Sequence, residues 1–215
     1  MKFNSNKFLL IILLVAFSGI ESYAQCYKTV GSRGGSSAFS LEIGAGMPIL
    51  ISPTNDSKFG DNKKVELGLR YLPEGTNFGL RGYYSFAGLS DSGAEPSDHG
   101  NKLKIHRVEL QGIYMLDDLL GVSDGSIFEL ESYIGLGAGL GKPSGNDVTN
   151  KMIATTIGLR PRFLIDDNRL HVYFDTSYGM LFNQRYDYAG ESIPGVDKTD
   201  SGSMLHFSVG LSYRL

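Results

Sequence analysis

The chain has 215 residues, a formal net charge of −3 and a single cysteine. A mildly acidic chain lacks the basic surface that nucleic-acid binding requires, so we expect no nucleic-acid partner. One cysteine cannot form an internal disulfide, and a chain of this length fits one domain.

The N-terminus has the features of a secretory signal. Two lysines precede an apolar run at 8–20, and Ser22 and Ala24 have the spacing of the small residues at a signal-peptidase site. The run is shorter than the roughly 20 residues that a transmembrane helix needs. We therefore predict a cleaved signal peptide at 1–24, with an uncleaved anchor as the alternative.

A short N-terminal extension at 25–36 follows the predicted cleavage site. It contains Cys26, which would carry a lipid if the protein were a lipoprotein. The lipidation motif needs a small residue directly before the cysteine and leucine three residues before it, whereas this chain has Gln25 and Tyr23. We expect no lipidation at this cysteine.

Alternation of apolar and polar residues dominates the rest of the chain. In the segment at 64–72, Val65 and Leu67 alternate with Glu66, and Arg70 continues the polar face. This period of two predicts a β-strand with one apolar and one polar face. Eight such segments follow one another: FSLEIGAGM (39–47), KVELGLRYL (64–72), FGLRGYYSF (78–86), RVELQGIYM (107–115), FELESYIGLGAGLG (128–141), MIATTIGLRPRF (152–163), LHVYFDTSYGM (170–180) and LHFSVGLSYRL (205–215).

The connections between these segments alternate in length. Outer-membrane barrels have short periplasmic turns and longer extracellular loops, and their strands cross the bilayer with about 9–11 residues each. The turn at 117–126 is longer than this pattern predicts. The long, polar connections are 52–62, 87–104, 142–150 and 183–202, and the short ones are 73–76, 117–126 and 166–169.

Aromatic residues mark one end of seven of the eight segments. All of them have the parity of the apolar face, which predicts an outward-facing girdle at the periplasmic interface. The seventh segment offers Leu170 there instead. The predicted girdle consists of Phe39, Tyr71, Phe78, Tyr114, Phe128, Phe163 and Tyr213.

These patterns predict that the apolar face meets lipid and the polar face points into the lumen. The predicted fold class is all-β, an eight-stranded antiparallel up-and-down transmembrane β-barrel over residues 37–215. A soluble barrel of the lipocalin type is the alternative, but its lumen should be lined mainly by apolar side chains. In this sequence the opposite face is polar on every segment.

The chain resembles the OmpA/OmpX-type eight-stranded outer-membrane barrels. The ending HFSVGLSYRL is similar to the C-terminal strand signal read by the barrel-assembly machinery, although Leu215 replaces the usual final aromatic and Tyr213 is the nearest one. The GLSYRL ending, with glutamine after the cleavage site, resembles Bacteroidetes outer-membrane proteins. The resemblance implies an integral protein of the bacterial outer membrane, with outer-membrane lipid around it and the barrel-assembly machinery as its partner during biogenesis.

Opposite charges fall at similar heights on different strands of the predicted inward face. Buried charges are costly unless they are paired, and eight strands leave an interior just wide enough for side chains to fill. We therefore predict a salt-bridged plug, with a wet lumen that conducts small ions as the alternative. The predicted network comprises Glu42, Glu66, Arg70, Arg81, Arg107, Glu109, Glu129, Glu131, Arg160, Arg162 and Asp175.

His206 and Ser208 are the candidate catalytic pair. Their spacing resembles that of the lipid A deacylases, but their parity is inward, whereas those enzymes present the pair to lipid. We therefore expect no catalytic role. Because His106 and His171 have no metal-spaced partners and the loop acids match no calcium loop, we also expect no metal or cofactor.

The expected function is a non-enzymatic envelope or surface-interaction protein that acts through its extracellular loops. Tyr186 and Tyr188 in the fourth long loop are the contact candidates, because exposed aromatics favour recognition. The rival interpretation is an accessory barrel of a secretion or envelope machine, whose periplasmic partner contacts the turn at 117–126.

Overall fold

The computed structural model of the protein describes residues 39–51, 62–90, 102–121, 126–143, 149–166, 169–184 and 200–215. In these ranges eight antiparallel strands, each paired with its sequence neighbours, close into a barrel when β1 pairs with β8. One short helix, α1 (Asp117–Leu120), lies between β4 and β5. The strands are β1 (Phe39–Leu50), β2 (Lys63–Tyr71), β3 (Phe78–Ser90), β4 (Lys102–Met115), β5 (Phe128–Pro143), β6 (Asn150–Asp166), β7 (Leu170–Gln184) and β8 (Asp200–Arg214).

No helix within the described ranges has the length and apolar character needed to cross a membrane. The predicted signal peptide, the extension at 25–36 and the contact candidates Tyr186 and Tyr188 lie outside the described residues.

The strands are staggered around the barrel. Stepping from Phe39 across paired positions returns the trace to β1 at Ile49, ten residues further along the same strand. Such a stagger requires tilted strands, and in an eight-stranded barrel it leaves an interior that side chains fill. The trace passes through Tyr71, Leu80, Gly112, Ile134, Ile157, Tyr178 and Leu205.

Exposure alternates along the strands with the predicted parity. On the outside, Leu110 is 62% exposed and Ile157 is 60% exposed, whereas Arg81 and Glu131 on the inside are fully buried. A soluble protein does not leave a continuous belt of large apolar side chains in water, and such a belt matches the hydrocarbon region of a bilayer. The predicted transmembrane β-barrel is confirmed.

The strands are longer than predicted at the end where the long loops connect, which we call the loop end. The opposite end, where β1 begins and β8 ends, is the termini end. β3 and β4 stay paired as far as Ser90 opposite Lys102, within the segment expected to be a loop. The pairing continues because Leu89 and Leu103 extend the inward face with apolar side chains. These residues do not follow the polar-inward pattern, so the sequence pattern placed them in a loop.

The turn between β4 and β5 is built around α1. Asp117 is buried, and its Oδ1 accepts a hydrogen bond from the backbone N–H of Leu130 at 2.7 Å. The backbone N–H of Leu116 donates to the carbonyl of Leu130 at 2.8 Å. Gly121 ends the helix with a φ of 67°, a left-handed conformation that favours glycine. The unexpected length of this turn is therefore explained in part by a helix tied to β5.

Candidate functional site: the ion-paired lumen

Arg160 lies at the centre of the lumen. Its Nε donates to Asp175 Oδ2 at 2.9 Å, and its Nη1 donates to Glu42 Oε2. Its Nη2 lies 3.7 Å from Glu66 Oε1. One guanidinium from β6 therefore meets carboxylates from β1, β2 and β7, which ties together strands on different sides of the barrel.

Arg81 forms a second centre with Glu131. Its Nη1 donates to Glu131 Oε1 at 2.6 Å, and its Nε donates to Gln111 Oε1 at 2.6 Å. Glu42 Oε2 lies 3.4 Å from the same Nη1, so Glu42 is shared between Arg81 and Arg160. Sharing one carboxylate between two arginines joins the two centres into a single network.

The network continues toward the termini end through two further arginines. Arg70 Nε donates to Glu131 Oε2 at 3.0 Å, and Arg162 Nη1 lies 3.4 Å from the same oxygen. Arg162 Nη2 donates to Ser212 Oγ at 2.8 Å. Glu129 is the outermost member, with its oxygens 3.9 Å from Arg162 Nε and 3.8 Å from His171 Nε2.

Toward the loop end the pairs are more local. Arg107 Nε lies 3.0 Å from Glu109 Oε1, which also accepts a hydrogen bond from Thr156 Oγ1 at 2.8 Å. Lys64 Nζ lies 2.7 Å from Glu66 Oε2. Lys64 was not among the predicted network residues, although its parity on β2 is the same as that of Glu66 and Arg70.

The structure places all eleven predicted network residues inside the lumen and gives each an ion pair within the described ranges. With Lys64 added, the numbers of basic and acidic groups are equal, which satisfies the rule that buried charges must be compensated. The basic members are Lys64, Arg70, Arg81, Arg107, Arg160 and Arg162; the acidic members are Glu42, Glu66, Glu109, Glu129, Glu131 and Asp175.

Three buried tyrosines fill the space between the charges. Tyr133 OH donates to the Asp175 carboxylate at 2.8 Å, and Tyr83 OH and Tyr173 OH donate to Glu66 at 2.8 and 3.0 Å. The guanidinium carbon of Arg160 lies 4.2 Å from the centre of the Tyr173 ring, within cation–π range. Sequence parity indicated that these tyrosines face inward, but their roles as network donors were not predicted.

Inward-facing glycines provide the room for these rings. A Cβ added at Gly158 would meet the Tyr133 ring and hydroxyl, and a Cβ added at Gly210 would meet Tyr173. Large aromatic rings therefore lie opposite positions without a side chain, which is how a narrow barrel holds both arginines and tyrosines.

Apolar side chains close both ends of the charged region, contrary to the expectation that the inward face is polar on every strand. At the termini end Ile113 and Met115 are buried against Tyr133, with Leu72 packed on them. At the loop end a larger cluster crosses the lumen, which we call the apolar seal. Its members are Ala87, Leu89, Leu103, Ile105, Met152, Ala154, Leu181 and Met204.

His206 and Ser208 both lie buried on the lumen side of β8. Ser208 Oγ donates to Glu66 Oε2 at 3.0 Å, and His206 Nε2 lies 3.3 Å from Arg107 Nη1. Neither side chain is directed at lipid. Within the described residues, no group of three or more His, Cys, Asp or Glu side chains has an arrangement that could hold a metal ion.

The predicted aromatic girdle lies on the outside of the barrel at the termini end. Phe39 packs against Tyr71 and Phe78 against Tyr114, each with ring centres 4.8 Å apart. Phe128 and Phe163 are 5.3 Å apart, and Tyr213 is 46% exposed. These side chains lie where the apolar belt ends, the position that aromatic residues take at a membrane interface.

Comparison with known proteins shows the fold. No family model matches the chain, and no curated protein matches it. Neisserial surface protein A (NspA) superimposes with a TM-score of 0.54 and 14% identity, covering 84% of this chain and 99% of that one. A major outer-membrane protein of Thermus thermophilus gives 0.49 at 15% identity, covering 83% and 100% of the two chains. Ail of Yersinia pestis gives 0.45 at 16% identity, covering 82% and 99%.

At this identity the similarity to NspA concerns the fold alone. The resemblance to Bacteroidetes proteins stays a prediction. The barrel itself supplies the physical argument: its outside is apolar, its girdle is aromatic and its charges are inside. The protein is an eight-stranded β-barrel integral to the bacterial outer membrane.

Proposed function

We propose that this protein is a sealed, non-enzymatic scaffold that holds four long loops at the cell surface, where they contact a molecule outside the cell. The observation that carries the proposal is the lumen. Its ion pairs join strands across the barrel, and apolar layers close both ends of the charged region. A barrel filled in this way offers rigidity rather than a path for solutes.

The filled lumen argues against a pore. An open channel needs polar walls that stay hydrated, whereas the eight members of the apolar seal all have apolar side chains. Below it, Arg81, Glu131 and Arg160 are almost completely removed from solvent. Ions would have to cross the charged layer and the apolar layers at its two ends in series.

The placement of the candidate catalytic residues argues against lipid modification. Ser208 is hydrogen-bonded to Glu66, and His206 lies beside Arg107, so among the residues that the structure describes no acidic group orients the histidine toward the serine. Both face the lumen, which acyl chains in the membrane cannot enter. Expression of the wild-type protein should therefore leave the mass spectrum of lipid A unchanged.

Tyr186 and Tyr188 remain the contact candidates in the loop that joins β7 and β8. Aromatic residues contribute large contact areas at low entropic cost, and they are enriched at recognition surfaces. We also propose that the barrel-assembly machinery inserts the chain by reading β8, whose last aromatic is Tyr213.

Cysteine labelling on intact cells tests the orientation. In a Cys26→Ser background, Tyr186→Cys and Tyr188→Cys should react with a membrane-impermeant maleimide on whole cells. Leu120→Cys, in the exposed turn at the termini end, is the matched control and should react only after the outer membrane is opened. The reverse pattern would place the long loops in the periplasm.

Deletion of residues 185–199 tests the loop function. Cells that produce the wild-type protein should bind to a surface of matrix proteins or glycans more strongly than cells with an empty vector. The deletion should abolish that gain while the barrel still shows the gel shift of a folded protein. If the deletion binds as well as the wild type, the loop has no contact role.

One observation favours a second candidate, a periplasmic partner at the termini end. Leu119, Leu120 and Ile127 are 67%, 57% and 67% exposed around α1. Exposed apolar side chains in a turn held firmly by Asp117 form a surface suited to another protein. Leu119→Gln with Leu120→Gln should remove a periplasmic cross-linked partner and leave surface binding by the loops intact.

A further inference from the structure

Three nitrogen-bearing side chains lie together in the lumen just below the apolar seal. Arg107 Nη1 is 3.3 Å from His206 Nε2. The centre of the Tyr83 ring lies 5.9 Å from the guanidinium carbon of Arg107 and 5.4 Å from Lys64 Nζ. Each of the three side chains is at most 3% exposed. We call Lys64, Arg107 and His206 the donor cluster.

His206 has a buried N–H group without an acceptor. An arginine side chain can only donate, so His206 Nε2 accepts from Arg107 and the ring proton lies on Nδ1. Nδ1 makes no hydrogen bond to any atom in the described part of the chain. Leaving a buried donor unpaired is costly, so this N–H group indicates a bound acceptor that the described protein atoms do not supply.

The two cations of the donor cluster also have more N–H groups than acceptors. Lys64 carries three and Arg107 carries five. Lys64 Nζ lies 2.7 Å from one oxygen of Glu66, and Arg107 Nε lies 3.0 Å from one oxygen of Glu109. Neither contact has the angles of a hydrogen bond, and neither nitrogen makes one elsewhere in the described ranges. Donors are therefore in excess at this height of the lumen.

The two carboxylates that pair with these cations are held largely by neutral groups. Glu66 accepts hydrogen bonds from three hydroxyl groups, and Glu109 accepts from one hydroxyl and one amide. The donors are Tyr83, Tyr173 and Ser208 for Glu66, and Gln111 and Thr156 for Glu109. The carboxylates therefore do not need all the N–H groups of the cations, which leaves those groups to another acceptor.

Both ion pairs have their positive ends toward the loop end. Lys64 is one inward position nearer the loop end than Glu66 on β2, and Arg107 has the same relation to Glu109 on β4. Two pairs with this orientation make the local potential positive at the donor cluster, although the charges of the whole network balance. The electrostatic field therefore favours an anion at this position.

The wall beside the donor cluster has no side chain, and apolar residues lie above it. At Gly179 on β7 an added Cβ would be 3.1 Å from Arg107 Nη1 and 3.2 Å from His206 Nε2. One inward position nearer the loop end than Arg107 and His206 lie Ile105 and Met204 of the apolar seal. A group bound at the donor cluster is therefore separated from the external solution by the seal.

We propose that the donor cluster binds one chloride ion, which accepts hydrogen bonds from His206 Nδ1, Lys64 Nζ and Arg107. A halide accepts several charge-assisted hydrogen bonds and donates none. A water molecule in the same place would need acceptors for its own two protons, and this part of the lumen has an excess of donors. A monatomic ion also suits an eight-stranded lumen that side chains fill.

The bound ion would join β8 to β2 and β4 across the lumen. A ligand that binds only the folded state raises the stability of that state as its concentration rises. The barrel should therefore be more stable in chloride than in a salt whose anion is too large to enter. Because the seal covers the ion, its exchange should require refolding or transient opening of the seal. This inference does not depend on what the loops contact.

Bromide identifies the site directly, because its anomalous scattering distinguishes it from water. The full chain is refolded from urea in sodium bromide and crystallised. An anomalous difference map should show one peak in the lumen, in contact with His206 and Lys64. A map without a peak at this position, whether or not ordered water lies there, would overturn the proposal.

Urea titrations at constant ionic strength test the linkage to folding. The wild-type unfolding midpoint, followed by the gel shift of the folded barrel, should rise as sodium chloride replaces sodium gluconate. Holding the ionic strength constant separates binding from the screening of charges. Equal midpoints in the two salts would contradict a chloride site.

Two variants and a matched control locate the effect. Lys64→Met and His206→Phe should each remove the bromide peak and weaken the chloride affinity about tenfold to a hundredfold, the equivalent of one hydrogen bond to a charged group. Lys63→Met removes the same charge from the outer wall of the same strand and should keep both the peak and the affinity. If Lys64→Met kept the chloride dependence of the wild type, the donor cluster would not be the site. The gel shift of each variant separates loss of the site from loss of the fold.

Discussion

Arg160 Nε lies 2.9 Å from Asp175 Oδ2, and this pair joins β6 to β7 at the centre of the lumen. Both side chains are about 99% buried. An ion pair buried this deeply stabilises a protein little more than well-packed apolar side chains would in its place. Removing only one partner, however, leaves an uncompensated buried charge. The pair therefore matters for stability mainly through what its loss would leave behind.

Replacing Arg160 should test this directly. Arg160→Ala would leave Asp175 and Glu42 without their main cation, so we expect a loss of about 3–5 kcal/mol in the free energy of unfolding. Arg169→Ala, at an exposed turn position, should change it little, because exposed charges contribute little to stability. Urea titration followed by the gel shift of the folded barrel measures both. Equal midpoints for the two variants would show that the network is hydrated.

The outward face should be sensitive to charge in the middle of the membrane. Leu136 is 56% exposed on the lipid side of β5, so Leu136→Arg should cost about 2–4 kcal/mol. An inward control must avoid Gly137, because a Cβ there would meet the backbone of β4. At Gly139 the nearest atom to an added Cβ is 3.5 Å away, which is ordinary contact, so Gly139→Ser should cost less.

Folded yields in lipid vesicles and unfolding midpoints would compare the two variants. If Gly139→Ser were more damaging than Leu136→Arg, the lipid-facing side of β5 would be wrongly identified. Gly137 is unsuitable as the inward control because Val108 and Glu109 pack against that position.

The parity of every strand could be predicted from the sequence, because side chains on a strand alternate between two environments, here lipid and lumen. The ion pairs between side chains on different strands could not be predicted from the sequence. Arg81 reaches Glu131, two strands away, because the stagger of the barrel brings their heights together. That stagger depends on the register of all eight strands, which no single segment contains.

The apolar seal was missed for a different reason. Leu89 and Leu103 point into the lumen, but they lie in the segment 87–104 that was expected to be a loop. Met152 also points into the lumen, as the first residue of its predicted strand. A period-two pattern with both faces apolar indicates a strand buried on both sides. Applied to residues 87–90 and 102–105, that pattern predicts longer β3 and β4 strands. The assumption that every inward side chain is polar predicts strands that end before these residues.

The space that Gly158 leaves for Tyr133 can be tested with a double-mutant cycle. Gly158→Ala should cost about 1–3 kcal/mol, because the added methyl group would overlap the ring. In a Tyr133→Ala background the same substitution should cost much less, since the atoms nearest to the added Cβ belong to the Tyr133 and Ser177 side chains. Additive costs would mean that the two residues do not share this space.

Two of the three layers that fill the lumen, the charged layer and the apolar seal, predict how conductance should respond to mutation. In planar bilayers the wild type should show almost no steady conductance. Glu131→Ala opens the charged layer and Leu103→Ser adds a polar group to the apolar seal, yet each leaves the other layer in place. For barriers in series, the double variant should therefore conduct more than the sum of the two single variants. Ala138→Ser on the outer wall of β5 is the control and should conduct no more than the wild type. A large wild-type conductance would replace the sealed scaffold with a pore. A double variant as silent as the wild type would contradict the idea that these two layers are the main barriers and would leave the termini-end layer of Ile113 and Met115 as the seal.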